Sequence, residues 1–352
     1  MAKEEAAEAA AGSGKAAETL SQFIARVLDQ LALSAWLPAA ALILLLTYVI
    51  ELGAALDGTR DAPALQALRA MAHVSLGGAL LLVAAVIVLT MVTQAFSFEA
   101  IRVLEGYWGT NVIVERIAQW RCERHRRRQA GLRHRHKVLT AAAWAGAEQR
   151  LRELNQDLLA RGVATEMTPN VIDAIGARVL ETRPAGTLST QEAATVEDAG
   201  PRWREWAPPE LLRRRVNVEK QLRDFPAAGR MLPTRLGNIL RRHEDETGET
   251  EVESFIRRRF DDLPASVREE HDDQRTRLDL YCSMVFVMLL VTVVAAVRLG
   301  PQHRPAALVA VVAGLMAAAL MYRAAVASAR AYGGLLVLAS RLPAATGPAP
   351  GP

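Results

Sequence analysis

The chain of 352 residues contains little cysteine and little lysine. Its two cysteines, Cys122 and Cys282, do not suggest a disulfide framework, because one lies in a polar stretch and the other in an apolar one. This usage fits a reducing compartment. Four lysines stand against 38 arginines, which we interpret as the signature of a GC-rich genome rather than of nucleic-acid binding.

The motifs of common catalytic sites are also missing. The sequence contains no GxSxG, HExxH, GxGxxG or Walker-type phosphate loop. Residues 12–15 resemble the end of such a loop but lack the leading glycine, the hydroxyl residue after the lysine and a preceding strand. We therefore expect no enzymatic activity, no catalytic residues and no cofactor.

One cluster has the residue types of a metal site, namely Cys122, His125, His134 and His136. Eight arginine and lysine residues occupy the same 17-residue stretch, and their positive field opposes a divalent cation. We therefore expect no metal.

Long apolar blocks are the dominant positive feature of the sequence. A bilayer core requires about 20 apolar residues in a helix, with shorter and longer spans known. Four blocks meet this requirement, at residues 35–56, 71–96, 280–299 and 306–322. The sequence predicts an all-α membrane protein with four transmembrane helices in two hairpins and a helical cytoplasmic domain inserted between them.

The second block predicts a helix that continues beyond the membrane. Phe98, Ile101, Leu104 and Trp108 recur at three- and four-residue steps, which is the pattern of one helix face. One helix from about residue 71 to Trp108 should thus join the membrane part to the soluble part. Residues 109–111 then read as a break.

Composition divides the chain into six segments. One of them, an amphipathic helix at residues 15–33, could either pack on the soluble domain or lie in the bilayer interface. The segments are a disordered N-terminus (1–14), an amphipathic helix (15–33), transmembrane hairpin 1 (34–97), the cytoplasmic helical domain (98–277), transmembrane hairpin 2 (278–325), and a cytoplasmic helix extension with a Pro/Gly tail (326–352).

Within the predicted domain, proline and glycine mark the helix boundaries. A short helical face at 113–120 is followed by the most charged stretch and then by a separate helix. The expected elements are helices at 138–160, from 169, at 209–223, at 234–246, at 249–261 and from 264 into the third span, with a mobile surface loop at 184–201.

The distribution of basic residues predicts the orientation. The connections at 53–69 and 299–305 carry few of them. The opposite side carries Lys3, Lys15, Arg26, Arg102, Arg116, Arg268, Arg275, Arg277, Arg323, Arg330 and Arg341. We therefore expect a multi-pass protein of the bacterial cytoplasmic (inner) membrane, with both termini and the middle domain in the cytoplasm.

The most basic stretch, residues 121–137, is called the basic segment here. It could pair with the acidic stretch 244–273, which has twelve acids against four arginines, or contact anionic lipid headgroups, or remain solvated. No motif or interleaved aromatic pattern favours nucleic acid, and we expect none. The candidate contact residues are Arg121, Arg124, Arg126, Arg127, Arg128, Arg133, Arg135 and Lys137.

Two short segments carry a family resemblance. Residues 233–240, Pro-Thr-Arg-Leu-Gly-Asn-Ile-Leu, and residues 322–333, Tyr-Arg-Ala-Ala-Val-Ala-Ser-Ala-Arg-Ala-Tyr-Gly, resemble uncharacterised bacterial multi-pass membrane proteins. The resemblance covers under a tenth of the chain. It implies a membrane location and no catalytic activity.

The last span carries small residues spaced by four, Ala310, Gly314 and Ala318, a spacing that allows helices to approach closely. The contact could be within the chain or between copies in a homo-oligomer. The function we expect is a non-enzymatic interaction, scaffold or sensory protein. The alternatives are a homo-oligomeric pore or ion channel and, third, a lipid-acting membrane enzyme.

Overall fold

A computed structural model describes residues 33–58, 62–72, 76–183, 186–247 and 263–342. Within these ranges the protein is helical and contains no strand, which confirms the all-α prediction. The predictions for residues 1–32, the helix at 249–261 and the tail from 343 lie outside the described residues.

The described chain forms the following elements in order. The α-helices are α1 (Leu33–Asp57), α2 (Pro63–Ala72), α3 (Leu76–Glu105), α4 (Val112–Ala160), α5 (Pro169–Val179), α6 (Thr190–Ala199), α7 (Pro209–Leu222), α8 (Arg235–Thr247), α9 (Ala265–Leu299) and α10 (Arg304–Arg341), with 3₁₀ turns at Gly200–Glu205 and Ala228–Arg230.

Four of these helices are long and apolar enough to cross a membrane, as predicted. They are α1, α3, α9 and α10, with mean hydropathies between 2.1 and 2.6 in their most apolar windows. The 35 residues of α9 and the 38 of α10 far exceed the roughly 20 that a bilayer core requires. Both helices therefore continue beyond any membrane, which agrees with the predicted long helix from 264 and the predicted extension after residue 322.

The helix that contains the second candidate span is shorter than predicted. It begins at Leu76 rather than near 71, because α2 ends separately at Ala72. It ends at Glu105, because Gly106 has a φ of +108° and the amide of Tyr107 donates to the carbonyl of Arg102 at 2.9 Å. This left-handed glycine cap stops the helix before the Gly109 break that the sequence suggested.

The prediction of separate elements between residues 112 and 160 was wrong. It forms one helix of 49 residues, α4, with the basic segment in its middle. The helix persists because it buries a continuous stripe at three- and four-residue steps. In the basic segment this stripe consists of Cys122, His125, Gln129, Leu132 and His136. Only one of the five is a large apolar residue, so apolar periodicity does not reveal the stripe.

The prediction of a loop at 184–201 was also wrong. Helix α6 begins after Ser189, whose hydroxyl accepts from the amide of Glu192 at 3.3 Å while the Glu192 carboxylate accepts from the amide of Ser189 at 3.0 Å. This reciprocal capping box starts the helix despite the polar composition. Burial of Val196 and Ala199 holds it in place.

The chain separates into two compact units. The first comprises the residues up to Glu115 together with those from Thr234 onwards. It contains the four candidate spans. Its core at the ends of these helices consists of Ile101, Leu236, Ile239, Leu263, Leu278, Cys282, Ala325, Val326, Ala329, Tyr332, Leu336 and Ala339.

The second unit comprises residues Arg116–Pro233 and has its own core, where Trp144 and Trp203 meet edge to face at 6.2 Å. Close contact between α4 and α5 restricts the size of the residues in this core. A Cβ atom at Gly176 would lie 2.7 Å from the indole nitrogen of Trp144. A larger residue there would push α5 away from α4. The basic segment lies in this unit.

Candidate functional site

All eight basic side chains of the basic segment are solvent-exposed. The second unit contains 22 basic and 14 acidic residues, a net charge of +8. The basic segment accounts for most of that excess, since it carries eight basic residues and one acid, Glu123. Glu123 pairs with Arg127 at 2.9 Å and lies 3.7 Å from Arg126.

The buried side of the basic segment contacts residues 226–233, which we call the strap. Side chains of α4 donate to four carbonyl groups of the strap, in antiparallel order along the chain. The pairs are Arg121 Nε with Pro233 at 2.9 Å, Cys122 Sγ with Met231 at 3.4 Å, Arg126 Nε with Ala228 at 3.3 Å and Gln129 Nε2 with Pro226 at 2.9 Å. No apolar pattern in the sequence marks this arrangement, in which polar side chains satisfy carbonyl groups of a segment that is outside the α-helices.

The outward pole of the basic segment combines an aromatic side chain with arginines. At 100° per residue, Arg124, Arg127 and Arg135 lie within about 60° of Trp120 around the helix. Trp120 is 61% exposed, and the guanidinium of Arg124 lies 5.9 Å from the centre of its ring. Gln129, on the other side, is 4% exposed.

The two half-buried histidines of the segment contribute little charge. Burial, assisted by the positive charge of Arg121, lowers the pKa of His125. Burial and the charge of Arg215 likewise lower the pKa of His136. Both shifts favour the neutral form of the ring, so the positive charge of the segment comes mainly from arginine and lysine.

The four residues with metal-ligand chemistry do not converge. Cys122 and His136 lie on one helix, about 21 Å apart along its axis, and His134 lies about 120° around the helix from Cys122 and about 160° from His136. Burial also raises the pKa of the Cys122 thiol. Among the described residues, no group of three or more His, Cys, Asp or Glu side chains could hold a metal ion.

Three described acidic residues of the stretch 244–273 pair with arginines of their own helices. Glu244 lies 3.1 Å from Arg241, Glu246 lies 2.5 Å from Arg242, and Asp273 lies 2.8 Å from Arg277. Residues 248–262 fall outside the described part. Pairing of this acidic stretch with the basic segment stays a prediction.

The two segments that carry the family resemblance meet in the first unit. The hydroxyl of Tyr322, on α10, accepts from the amides of Arg235 and Leu236 at 3.2 and 3.4 Å. Thr234 accepts from the amide of Gly237 at 3.1 Å. The first amides of α8 are therefore satisfied by side chains, which makes this helix start a structural joint.

The same joint includes the end of α3. Thr234 donates to the carbonyl of Glu105 at 2.8 Å, and Arg241 donates to the hydroxyl of Tyr107 at 2.5 Å. The Arg241 guanidinium also lies 5.8 Å from the centre of the Tyr107 ring. Helix α8 is thus held at its start to α3 and α10, both of them candidate spans, and at its middle to Tyr107.

The small residues of α10 lie at different depths. Ala318 is 6% exposed, and Ala310 and Gly314 are half-buried. A Cβ atom at Gly314 would overlap the hydroxyl of Thr292 on α9. At Gly314 the small residue therefore serves a contact within the chain.

No protein-family model, curated protein or solved structure matches the chain.

Proposed function

We propose that this chain is a non-enzymatic scaffold of the bacterial cytoplasmic membrane that holds its basic unit against anionic lipid headgroups. The four spans form two hairpins, and the second unit faces the cytoplasm. The exposed positive charge of the basic segment, on the side of α4 away from the strap, is the observation that carries the proposal.

The connection to the membrane favours lipid as the anionic partner. Six residues, 106–111, separate the end of α3 from the start of α4, so the two helix ends lie within about 25 Å of each other. Trp120 is about two turns into α4. Tryptophan is enriched at membrane–water interfaces, and a basic cluster close to a span is typical of contact with anionic headgroups.

The charge is sufficient for a substantial effect. A basic residue close to an anionic leaflet contributes about 1 kcal/mol. The four arginines nearest the outward pole, Arg124, Arg127, Arg128 and Arg135, would therefore contribute about 4 kcal/mol, or roughly a thousandfold in local association. Added salt should weaken it, because the Debye length is about 8 Å at physiological ionic strength.

The test is a charge reversal in the full-length protein. In Arg124→Glu/Arg127→Glu/Arg135→Glu, none of the strap contacts is altered. We expect added phosphatidylglycerol to raise the unfolding temperature of the unchanged protein in neutral detergent, because a ligand that binds the folded state stabilises it. The variant should lose that increase and keep its unfolding temperature without lipid.

A matched control carries the same change of charge elsewhere on the second unit. Arg204, Arg213 and Arg214 are exposed and outside the basic segment, and their reversal to glutamate should preserve the response to phosphatidylglycerol. An equal response in both variants would contradict the proposal. The first variant also loses the exposed Glu123–Arg127 pair, which is worth at most about 1 kcal/mol. A larger destabilisation without lipid would instead indicate that the acidic stretch 244–273 is an internal partner.

A further inference from the structure

A groove of about 540 Å³ lies between α1, α3 and α9 in the first unit. This is within the roughly 300–1,000 Å³ typical of small-molecule sites. Leu42 of α1, Ala100 of α3 and Val287 of α9 are among its lining residues. Leu290 and Val293 also line it and are 48% and 58% exposed, so the groove is open at its side.

The polar atoms of the lining hydroxyl groups on α3 are already engaged. The hydroxyl of Thr93 donates to the carbonyl of Thr90 at 3.1 Å, and that of Ser97 donates to the carbonyl of Gln94 at 2.8 Å. The groove therefore suits an apolar occupant. It follows the first turns of α1 and the last turns of α3, which is one end of the candidate spans.

A pair of opposite charges stands where the groove reaches the end of α3. Glu99 lines the groove, and its carboxylate lies 3.5 Å from the guanidinium of Arg102. Both side chains are about half exposed. The pair can therefore exchange its mutual contact for contacts with a headgroup that carries both charges.

We propose that the groove holds an acyl chain of one phosphatidylethanolamine molecule, with the ammonium group at Glu99 and the phosphate at Arg102. Surrounding lipid tails are as apolar as the groove, so the chain's burial fixes its position but gives little preference. The headgroup provides the preference. Phosphatidylglycerol has no ammonium group to contact Glu99. Phosphatidylcholine has a quaternary ammonium group without an N–H, so it cannot donate a hydrogen bond to Glu99.

This inference depends on the spans lying in a bilayer and is independent of the basic segment. The test uses the full-length protein in nanodiscs with equal amounts of phosphatidylethanolamine, phosphatidylglycerol and phosphatidylcholine of identical chains. Native mass spectrometry should show phosphatidylethanolamine retained in preference to the others. Glu99→Gln should reduce that preference about three- to fivefold, as expected for one exposed ion pair.

A second variant tests the groove itself. Ala100→Phe fills it and should abolish the preferential retention. The matched control is Ala95→Phe, at an exposed position of α3 outside the lining, which should leave retention unchanged. Retention of phosphatidylglycerol equal to that of phosphatidylethanolamine, or full retention in folded Ala100→Phe, would overturn the proposal.

If Ala100→Phe does not fold, photochemical cross-linking of the unchanged protein tests the site instead. A phosphatidylethanolamine with a photoreactive diazirine in its acyl chain should label Leu42, Val287 and Leu290 in preference to Leu308 and Val309, which are exposed on α10. Equal labelling of both sets would show ordinary contact with bulk lipid and would refute a specific site.

Discussion

Thr234 should be the most sensitive single position of the joint between α3, α8 and α10. Its hydroxyl donates to the carbonyl of Glu105 and accepts from the amide of Gly237, and the residue is 6% exposed. Thr234→Val keeps the shape of the side chain and removes both hydrogen bonds. Loss of a helix cap costs about 1 kcal/mol. Loss of the second, partly buried hydrogen bond costs a further 1–2 kcal/mol or so.

We therefore expect Thr234→Val to lower the free energy of unfolding by about 2–3 kcal/mol. For a unit of this size that corresponds to about 4–12 °C in unfolding temperature, measured in detergent. Thr234→Ser is the matched control, because it keeps the hydroxyl and loses one methyl group, which costs about 1 kcal/mol. If valine destabilised the protein no more than serine, the hydroxyl would not be holding the joint.

Three further predictions follow from the packing, the titration and the topology. Gly314→Leu should destabilise the protein at every concentration, by about 1–3 kcal/mol from overpacking against Thr292; a folded protein of smaller mass in detergent would instead indicate a contact between copies. The lowered pKa of folded His136 means that the unfolded chain binds more protons below about pH 6.5. Stability should therefore fall as the pH drops from 7.5 to about 5.5, and His136→Gln should flatten that slope in thermal melts; an unchanged slope would refute the assignment. Reporter fusions should score outside the cell after Gln302 and inside at Ala185, and an outside score at Ala185 would reverse the topology.

The sequence is informative wherever local chemistry determines the structure. The four apolar blocks predict the spans, and Thr168, whose hydroxyl accepts from the amide of Val171, starts α5 where the Thr-Pro pair predicts it. Helix α7 likewise begins directly after Pro208, where proline predicts a helix start. In these cases the signal lies within a few residues of the feature.

Other features depend on partners distant in the chain. The buried stripe of α4 is polar in its first half because its partner is a row of carbonyl groups on the strap, about 100 residues away. Apolar periodicity could not reveal it. The Ser189–Glu192 capping box was a local signal that could have located α6. The groove between α1, α3 and α9, and the contact of Tyr322 with α8, require the assembled fold.

The most direct test of the proposed function is the reactivity of one amine. The chain has four lysines, and Lys137 and Lys220 are both exposed in the second unit. Lys220 lies on α7, and Lys137 lies about 100° around α4 from Trp120, so neither amine is at the outward pole. In the full-length Arg127→Lys variant, a water-soluble amine-reactive ester should modify position 127 more slowly in phosphatidylglycerol nanodiscs than in phosphatidylcholine nanodiscs, with Lys220 as the internal reference. An unchanged ratio of the two rates between the discs would contradict the account.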